Sequence, residues 1–292
     1  MAPGPSPRFV ASNALPLVLL VLPFLLLSGC GQEGDPEGME EVLPRNGVHA
    51  DLDEEGLTGV RLLRLATAGP EYPNARLGLL SPESGARIAE GEPLELTFAL
   101  TGFELDVPTP GAEDRGLARA HGQHVHLVVN DGAYRAIYDL SEPVVVEDLP
   151  AGTHIIRAFP GRDWHEGVKT PGALVQRRVV VGEGEPTLPP PEEWGPTLIY
   201  SRPQGGYVGT DADSILVDFY LSGVRLSEDG TRVRLQVNGI REFLIHDWAP
   251  HVLVGLPAGE HTLRMDLVGA DGARIRSPFT PVERTITVER DD

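Results

Sequence analysis

His124 and His126 stand two residues apart in the run His121-Gly122-Gln123-His124-Val125-His126. On an extended strand such neighbours share one face, with Cα atoms about 6.6 Å apart. That spacing lets two imidazoles hold one metal ion, and nitrogen ligands of this kind suit zinc or copper. Such a site needs a third or fourth ligand, for which His121, His154 and His165 are the candidates. A second cluster follows in Phe159-Pro160-Gly161-Arg162-Asp163-Trp164-His165-Glu166-Gly167-Val168-Lys169, which contains the chain's only lysine. Trp164 flanked by Arg162, Asp163, Glu166 and Lys169 has the make-up of a surface that stacks on a sugar ring or a peptide side chain. The other reading of this loop folds it onto its own domain, with Trp164 as a plug and Arg162–Glu166 as a surface ion pair of little worth. Enzyme chemistry finds little here. There is no G-x-S-x-G elbow, no H-E-x-x-H helix and no phosphate-cradling glycine loop. His165 and Glu166 are adjacent, so on a strand they would point apart. A non-catalytic protein is expected.

The elements that position these residues are short strands. Pro and Gly are abundant, at 27 and 34 residues, aromatics make up 6%, and no long helical periodicity appears, so an all-β fold follows. Two stretches, 74–182 and 197–290, read as repeats. Val125, Leu127, Val129 and Asn130 match Val233, Leu235, Val237 and Asn238, and Leu149-Pro150-Ala151-Gly152 matches Leu256-Pro257-Ala258-Gly259. Leu94 to Phe98 likewise corresponds to Ile215 to Phe219, both alternating as half-buried strands should. Each copy has room for six or seven strands, which predicts two tandem immunoglobulin-like β-sandwich domains. Between them, 183–196 is a proline-rich linker expected to be a stiff spacer. Residues 30–73, acidic and poor in apolar side chains over most of their length, read as a solvated tether in which 57–65 forms at most a lone strand.

The duplication is also an internal control. A residue present in both copies belongs to the scaffold, and one found in a single copy is the better functional candidate. His154 and His261 occupy the same place and are expected to bond backbone groups in a turn. His124 and His126 face Arg232 and Arg234 in the second copy, and the tryptophan loop has no counterpart there.

At the N-terminus, Arg8 precedes an apolar run interrupted by Pro16 and Pro23 that ends at Leu27-Ser28-Gly29-Cys30. A spanning helix needs about 20 unbroken apolar residues, so a cleaved signal is favoured over residues 1–29. The tetrapeptide resembles the lipobox of bacterial lipoproteins. That resemblance implies acylation of Cys30, attachment to the lipid bilayer of the cell envelope and, because Gly31 rather than Asp follows, the outer membrane. Cys30 is the only cysteine, so no disulfide and no thiolate metal site can form. The net charge is −19, and it becomes −20 once Arg8 is removed with the signal. So acidic a chain excludes nucleic acid as a partner.

The combination G-x-H-x-H-L-x-V-x-N, LPAGTH-x-x-R-x-F and R-x-WHE-x-x-K, covering Gly122 to Lys169, resembles a group of uncharacterised bacterial lipoproteins with immunoglobulin- or fibronectin-like repeats. The resemblance implies that the histidine strand and the Trp-His-Glu loop belong on one surface. The expectation is a membrane-anchored, non-catalytic binding or structural module acting through its first domain on an envelope protein or glycan. The alternative is a zinc- or copper-binding envelope protein using His121, His124, His126 and His165.

Overall fold

Alternation in the sequence becomes alternation in burial. In the strand Leu94–Thr101, Leu94, Leu96 and Phe98 are buried while Glu95 and Ala99 are exposed, as a sheet with one covered face requires. The computed structural model describes residues 57–65, 71–112 and 121–290, together with the backbone of 39–42. The signal segment, Cys30 and the rest of the tether lie outside the described residues.

The N-terminal strands are β1 (Met39–Val42) and β2 (Arg61–Leu65). The first sandwich comprises β3 (Arg76–Ser81), β4 (Ala86–Ile88), β5 (Leu94–Thr101), β6 (His124–Val129), β7 (Arg135–Ile137), β8 (Val144–Val146), β9 (Gly152–Gly161) and β10 (Val175–Val181). The second comprises β11 (Thr197–Arg202), β12 (Gly205–Val208), β13 (Ile215–Ser222), β14 (Arg232–Val237), β15 (Arg241–Ile245), β16 (His251–Val254), β17 (Gly259–Val268) and β18 (Val282–Glu289). Sheets ordered β3-β5-β8 and β4-β10-β9-β6-β7 face each other in the first sandwich, and β11-β13-β16 and β12-β18-β17-β14-β15 repeat that order in the second. Both copies run β4 or β12 parallel to the last strand of the sandwich, β10 or β18. Eight strands in this Greek-key order make each copy an immunoglobulin-like sandwich.

The repeat extends to single hydrogen bonds. Asn130 and Asn238 sit at φ 56° and 52°. Each accepts a backbone N–H through Oδ1, from Ile155 or Thr262, and donates from Nδ2 to Nδ1 of His154 or His261. The opposite ring nitrogen, Nε2, donates to the carbonyl of Pro150 at 2.7 Å or Pro257 at 2.9 Å. The shared histidines therefore tie a turn to a strand, as the comparison of copies predicts.

Two departures from the sequence reading matter for the site. Residues 39–42 and 57–65 do not belong to a solvated tether. β2 pairs antiparallel with β16 and β1 pairs with β2, which widens the β11-β13-β16 sheet to five strands. The cause is local: Leu57, Val60, Leu62 and Leu63 are buried, and the first three join the core of the second sandwich. Four apolar residues too few for a core of their own are enough to complete an existing one.

The second departure concerns the proline-rich stretch 183–196, which does not hold the sandwiches apart. Pro191–Glu193 forms a short 3-10 turn with Pro191 buried, and Arg178 donates to the carbonyl of Leu188. Val128, Tyr134 and Phe159 of the first sandwich pack on Ile199 and Tyr220 of the second in a core of their own. This explains why strand β9 is buried on both faces from His154 to Gly161 instead of alternating. The outer face of the first sandwich is covered by its neighbour.

Candidate metal centre

The histidine strand lies on that covered face. Val125 and Leu127 of β6 point into the first core, so His124 and His126 point outward toward the second sandwich, and both are fully buried there. The His124 ring donates from Nδ1 to the Gly122 carbonyl at 3.0 Å, because a carbonyl can only accept. Its Nε2 therefore carries a lone pair. That atom lies 2.9 Å from His126 Nε2 and 3.2 Å from His165 Nδ1. The three ligand atoms all lie within 4.8 Å of one another.

Each ring is held from behind. His126 meets the Ser201 hydroxyl of β11 at 3.1 Å through Nδ1 and stacks on Tyr134, with ring centroids 3.8 Å apart and planes 3° from parallel. His165 sits in a tight hairpin that continues β9, where Arg162 N–H donates to Glu166 O and His165 N–H to Arg162 O. Its φ of 72° is unusual for a side chain of this size, and such strain tends to collect at functional sites. The loop is pinned to the second sandwich by Asp218 of β13, which accepts from the Gly167 N–H at 2.8 Å and from Lys169 Nζ at 2.6 Å. Burial pushes the Asp218 carboxyl up, and the Lys169 ammonium and Gly167 N–H offset part of that.

Burial also sets the charge of the imidazoles. It lowers His124 to about 4 and His126 well below the usual imidazole range, with His124, His165, Arg202 and Lys169 adding to the shift at His126. Both rings are neutral at pH 7, and the neutral imidazole is the form that binds a metal. Four-coordinate zinc with bonds of 2.0–2.1 Å places its ligand nitrogens about 3.3 Å apart, so the separations of 2.9 and 3.2 Å from His124 suit such an ion, and the three atoms, all within 4.8 Å of one another, would draw together around it. Copper accepts the same donors.

An acid response follows for the metal-free protein. In the unfolded chain a histidine takes its proton near 6.5, whereas in the fold His124 does so only near 4. Stability is full above pH about 6.5 and falls as the pH drops toward 4, with His126 adding to the same loss. His124 alone accounts for roughly 3 kcal/mol at about 1.4 kcal/mol per unit. Denaturant midpoints measured between pH 7 and 4.5 should fall steeply, and His124→Gln/His126→Gln should flatten that slope. A wild-type slope as shallow as the variant's would show that the rings are not buried neutral.

The remaining expectations sort by position. His121 is exposed beside Tyr138, with ring centroids 5.2 Å apart, and is not in the cluster, because the chain bends before β6 begins. His154 is committed to Asn130 and Pro150. Trp164 is only 5% exposed, packs on Ala112 and donates from Nε1 to Glu166 at 3.0 Å, so its ring offers no open platform to a sugar or peptide. Arg162 and Glu166 pair at 3.4 Å as a buried couple, not as a surface one, with the guanidinium over the rings of Tyr72 and Trp164. Asp163 is buried against Thr109. The loop's side chains turn inward, and their combined effect is to fix His165.

Ser201, Asp218, Tyr134 and Gly161 also build the site without having been singled out. Asp218 carried a readable signal: it interrupts the run Ile215-Leu216-Val217-Asp218-Phe219-Tyr220-Leu221 and matches Thr97 in the first copy. The comparison between copies that selected the histidines selects it equally well.

No family model and no curated protein sequence matches the chain. Among solved structures it is similar to fibronectin(III)-like modules of Clostridium thermocellum CbhA, at 14% identity over 73% of this chain and 94% of that one, with a TM-score of 0.25. SGBP-B of the Bacteroides ovatus mixed-linkage glucan utilisation locus, in complex with a mixed-linkage heptasaccharide, matches at 12% identity over 74% and 71% with a TM-score of 0.21. The FN1–FN3 domains of chicken CNTN1 match at 8% identity over 77% and 68% with a TM-score of 0.23. Scores this low add nothing to the fold already read from the strand order.

Proposed function

We propose that this chain is a cell-envelope lipoprotein, attached to the bilayer through acylated Cys30, that binds one zinc or copper ion through His124, His126 and His165. One observation carries the metal reading: three imidazole nitrogens from two separate elements converge within 4.8 Å, and two of the rings are fully buried. Burying polar rings in the core between two sandwiches is costly unless a partner compensates them. A cation shared by three lone pairs would take the place of the contacts that join His124 to His126 and His165. The envelope placement rests on Leu27-Ser28-Gly29-Cys30, and Gly31 favours the outer membrane. The protein acts as a binding module, with the second sandwich supplying Ser201 and Asp218 to a site carried mainly by the first.

The full chain, stripped with a chelator and titrated with zinc or copper(II), should take up one ion per chain. A ligand at 100 times its dissociation constant adds about 2.7 kcal/mol, which corresponds to a rise in Tm of roughly 5–10 °C for a protein this size. His124→Ala/His126→Ala should remove both the uptake and the rise. Wild-type protein that retains no metal and shows no shift with either ion would refute the reading.

A further inference from the structure

We propose that the seam between the two sandwiches carries a second binding site, a cleft walled by Trp194 and Trp248 that takes a short stretch of a neutral glycan. None of the three clustered histidines lines it, so it does not rest on the metal reading. The cleft, of about 590 Å³, draws on all three parts of the chain. Thr170 comes from the first sandwich, Pro191 and Trp194 from the stretch that joins the copies, and Tyr220, Ser222 and Trp248 from the second. Binding pockets gather at such junctions. At about 30 Å³ per water-sized group, this one holds roughly twenty non-hydrogen atoms, about two sugar rings.

Two of the chain's three tryptophans line this cleft, although aromatics make up only 6% of the residues. Both are partly exposed, and each commits its N–H to a backbone carbonyl, Trp194 to Pro189 at 3.0 Å and Trp248 to Phe219 at 2.9 Å. The rings are thereby fixed and have only carbon left to offer. Their aromatic neighbours meet them at steep angles, Phe279 at 66° to Trp194 and Tyr220 at 86° to Trp248, so among the described residues no ring stacks flat on either indole. Comparison of the copies singles out Trp248 as well. Ile137 pairs with Val125 as Ile245 does with Val233, and three residues further on the first copy has Leu140 where the second has Trp248.

The polar groups select the ligand. No arginine or lysine lines the cleft and the chain is strongly acidic, so nothing there attracts an anion. Glu192, also on the lining, is exposed. Neither its carboxylate nor the Ser222 hydroxyl has a hydrogen bond or ion pair among the described residues. The Tyr220 hydroxyl already donates to the Thr170 carbonyl at 3.2 Å. What remains is rich in acceptors, since a carboxylate can only accept and a hydroxyl does either. A peptide brings carbonyls that need donors, and its prolines bring no N–H in return. A neutral sugar brings hydroxyls that donate, on a ring whose C–H face suits a flat indole.

Calorimetric titration of the full chain, stripped of metal with a chelator, tests the cleft. At least one of cellotetraose, laminaritetraose, maltotetraose and chitotetraose should bind saturably, whereas tetragalacturonate and decaproline should not. Trp194→Leu keeps an apolar side chain without the flat ring, and it should need at least about tenfold more of that sugar, the scale of one aromatic contact. Trp194→Phe keeps a flat ring and should stay within about threefold of the wild type. That contrast separates a stacking platform from an apolar plug, and equal affinities of the Leu and Phe variants would overturn the proposal. Failure of every neutral tetrasaccharide overturns it as well, as does tighter binding of tetragalacturonate or decaproline than of any of them. With the metal removed, neither result bears on the histidine cluster, and a chain that takes up no zinc or copper leaves this cleft as it is.

Discussion

Asp218→Ala should lower folding stability by about 3–5 kcal/mol and abolish the proposed metal binding even where the fold survives. Asp218 has no exposed surface, and its carboxylate is the acceptor for both the Gly167 N–H and the Lys169 ammonium, itself mostly buried. Truncation leaves a backbone donor and a charge in a low-dielectric interface with nothing to receive them, which is among the costliest single changes a core can suffer. Against a net stability of about 5–15 kcal/mol, that is a large fraction. The metal effect has a separate cause, because Gly167 and Lys169 fix the hairpin that presents His165. The double substitution Asp218→Leu/Lys169→Met separates the two. It should recover most of the stability, since removing both partners of a buried pair is often neutral, while metal affinity stays low. Urea denaturation and zinc titration of the single and double variants give the comparison. An Asp218→Ala protein within about 1 kcal/mol of wild type would show that the pair is not buried as described.

Gly161→Ala should abolish metal binding while costing the fold comparatively little. A Cβ at this position would stand 2.3 Å from Nε2 of His126 and 2.7 Å from its Cδ2. The ring has nowhere to retreat, with Tyr134 stacked against it, Phe159 at a centroid distance of 5.0 Å and His124 at 4.8 Å. One methyl group therefore lands on the atom that would bind the ion. An affinity loss of at least about 100-fold is expected, alongside an overpacking cost of about 1–3 kcal/mol. Gly184→Ala, where an added Cβ meets nothing within 4 Å, is the matched control. Calorimetric titration of both variants with zinc decides the matter. Wild-type affinity in Gly161→Ala would mean that His126 Nε2 is not a ligand.

Much of the fold was legible because its signals are local. Turn residues such as Asn130 and Asn238, strand alternation in Leu94–Phe98 and the doubled Leu-Pro-Ala-Gly each report on a few neighbouring residues, and those neighbours settle the local conformation. The pairing of His124 with His126 was legible for the same reason, since strand geometry alone puts them on one face. What surrounds that face was not. His-x-His reads equally as a solvated strand or a buried one, and only the packing of Phe159 and Val128 on Ile199 and Tyr220 decides between them. The inward turn of Trp164 depends on Ala112, far away in sequence, and so reads at first as a surface aromatic. The charges of Asp163 and Glu166 suggested solvent, yet each is held by a partner that makes burial tolerable.

The strand contributed by the N-terminal segment has a consequence for how the protein assembles. β2 meets β16 with Arg61 opposite Val254, almost two hundred positions further along the chain. A ribosome releases this strand long before its partner exists, and the whole of β3 to β10 is made in between. The first sandwich can close on its own contacts during synthesis, while the second must wait for a piece already delivered. Such long-range closure is slow and leaves a bare strand edge exposed in the meantime. The four apolar residues read at first as part of a leash are thus a clasp that shuts last, and a fragment beginning at Thr197 would lack the strand that shuts it.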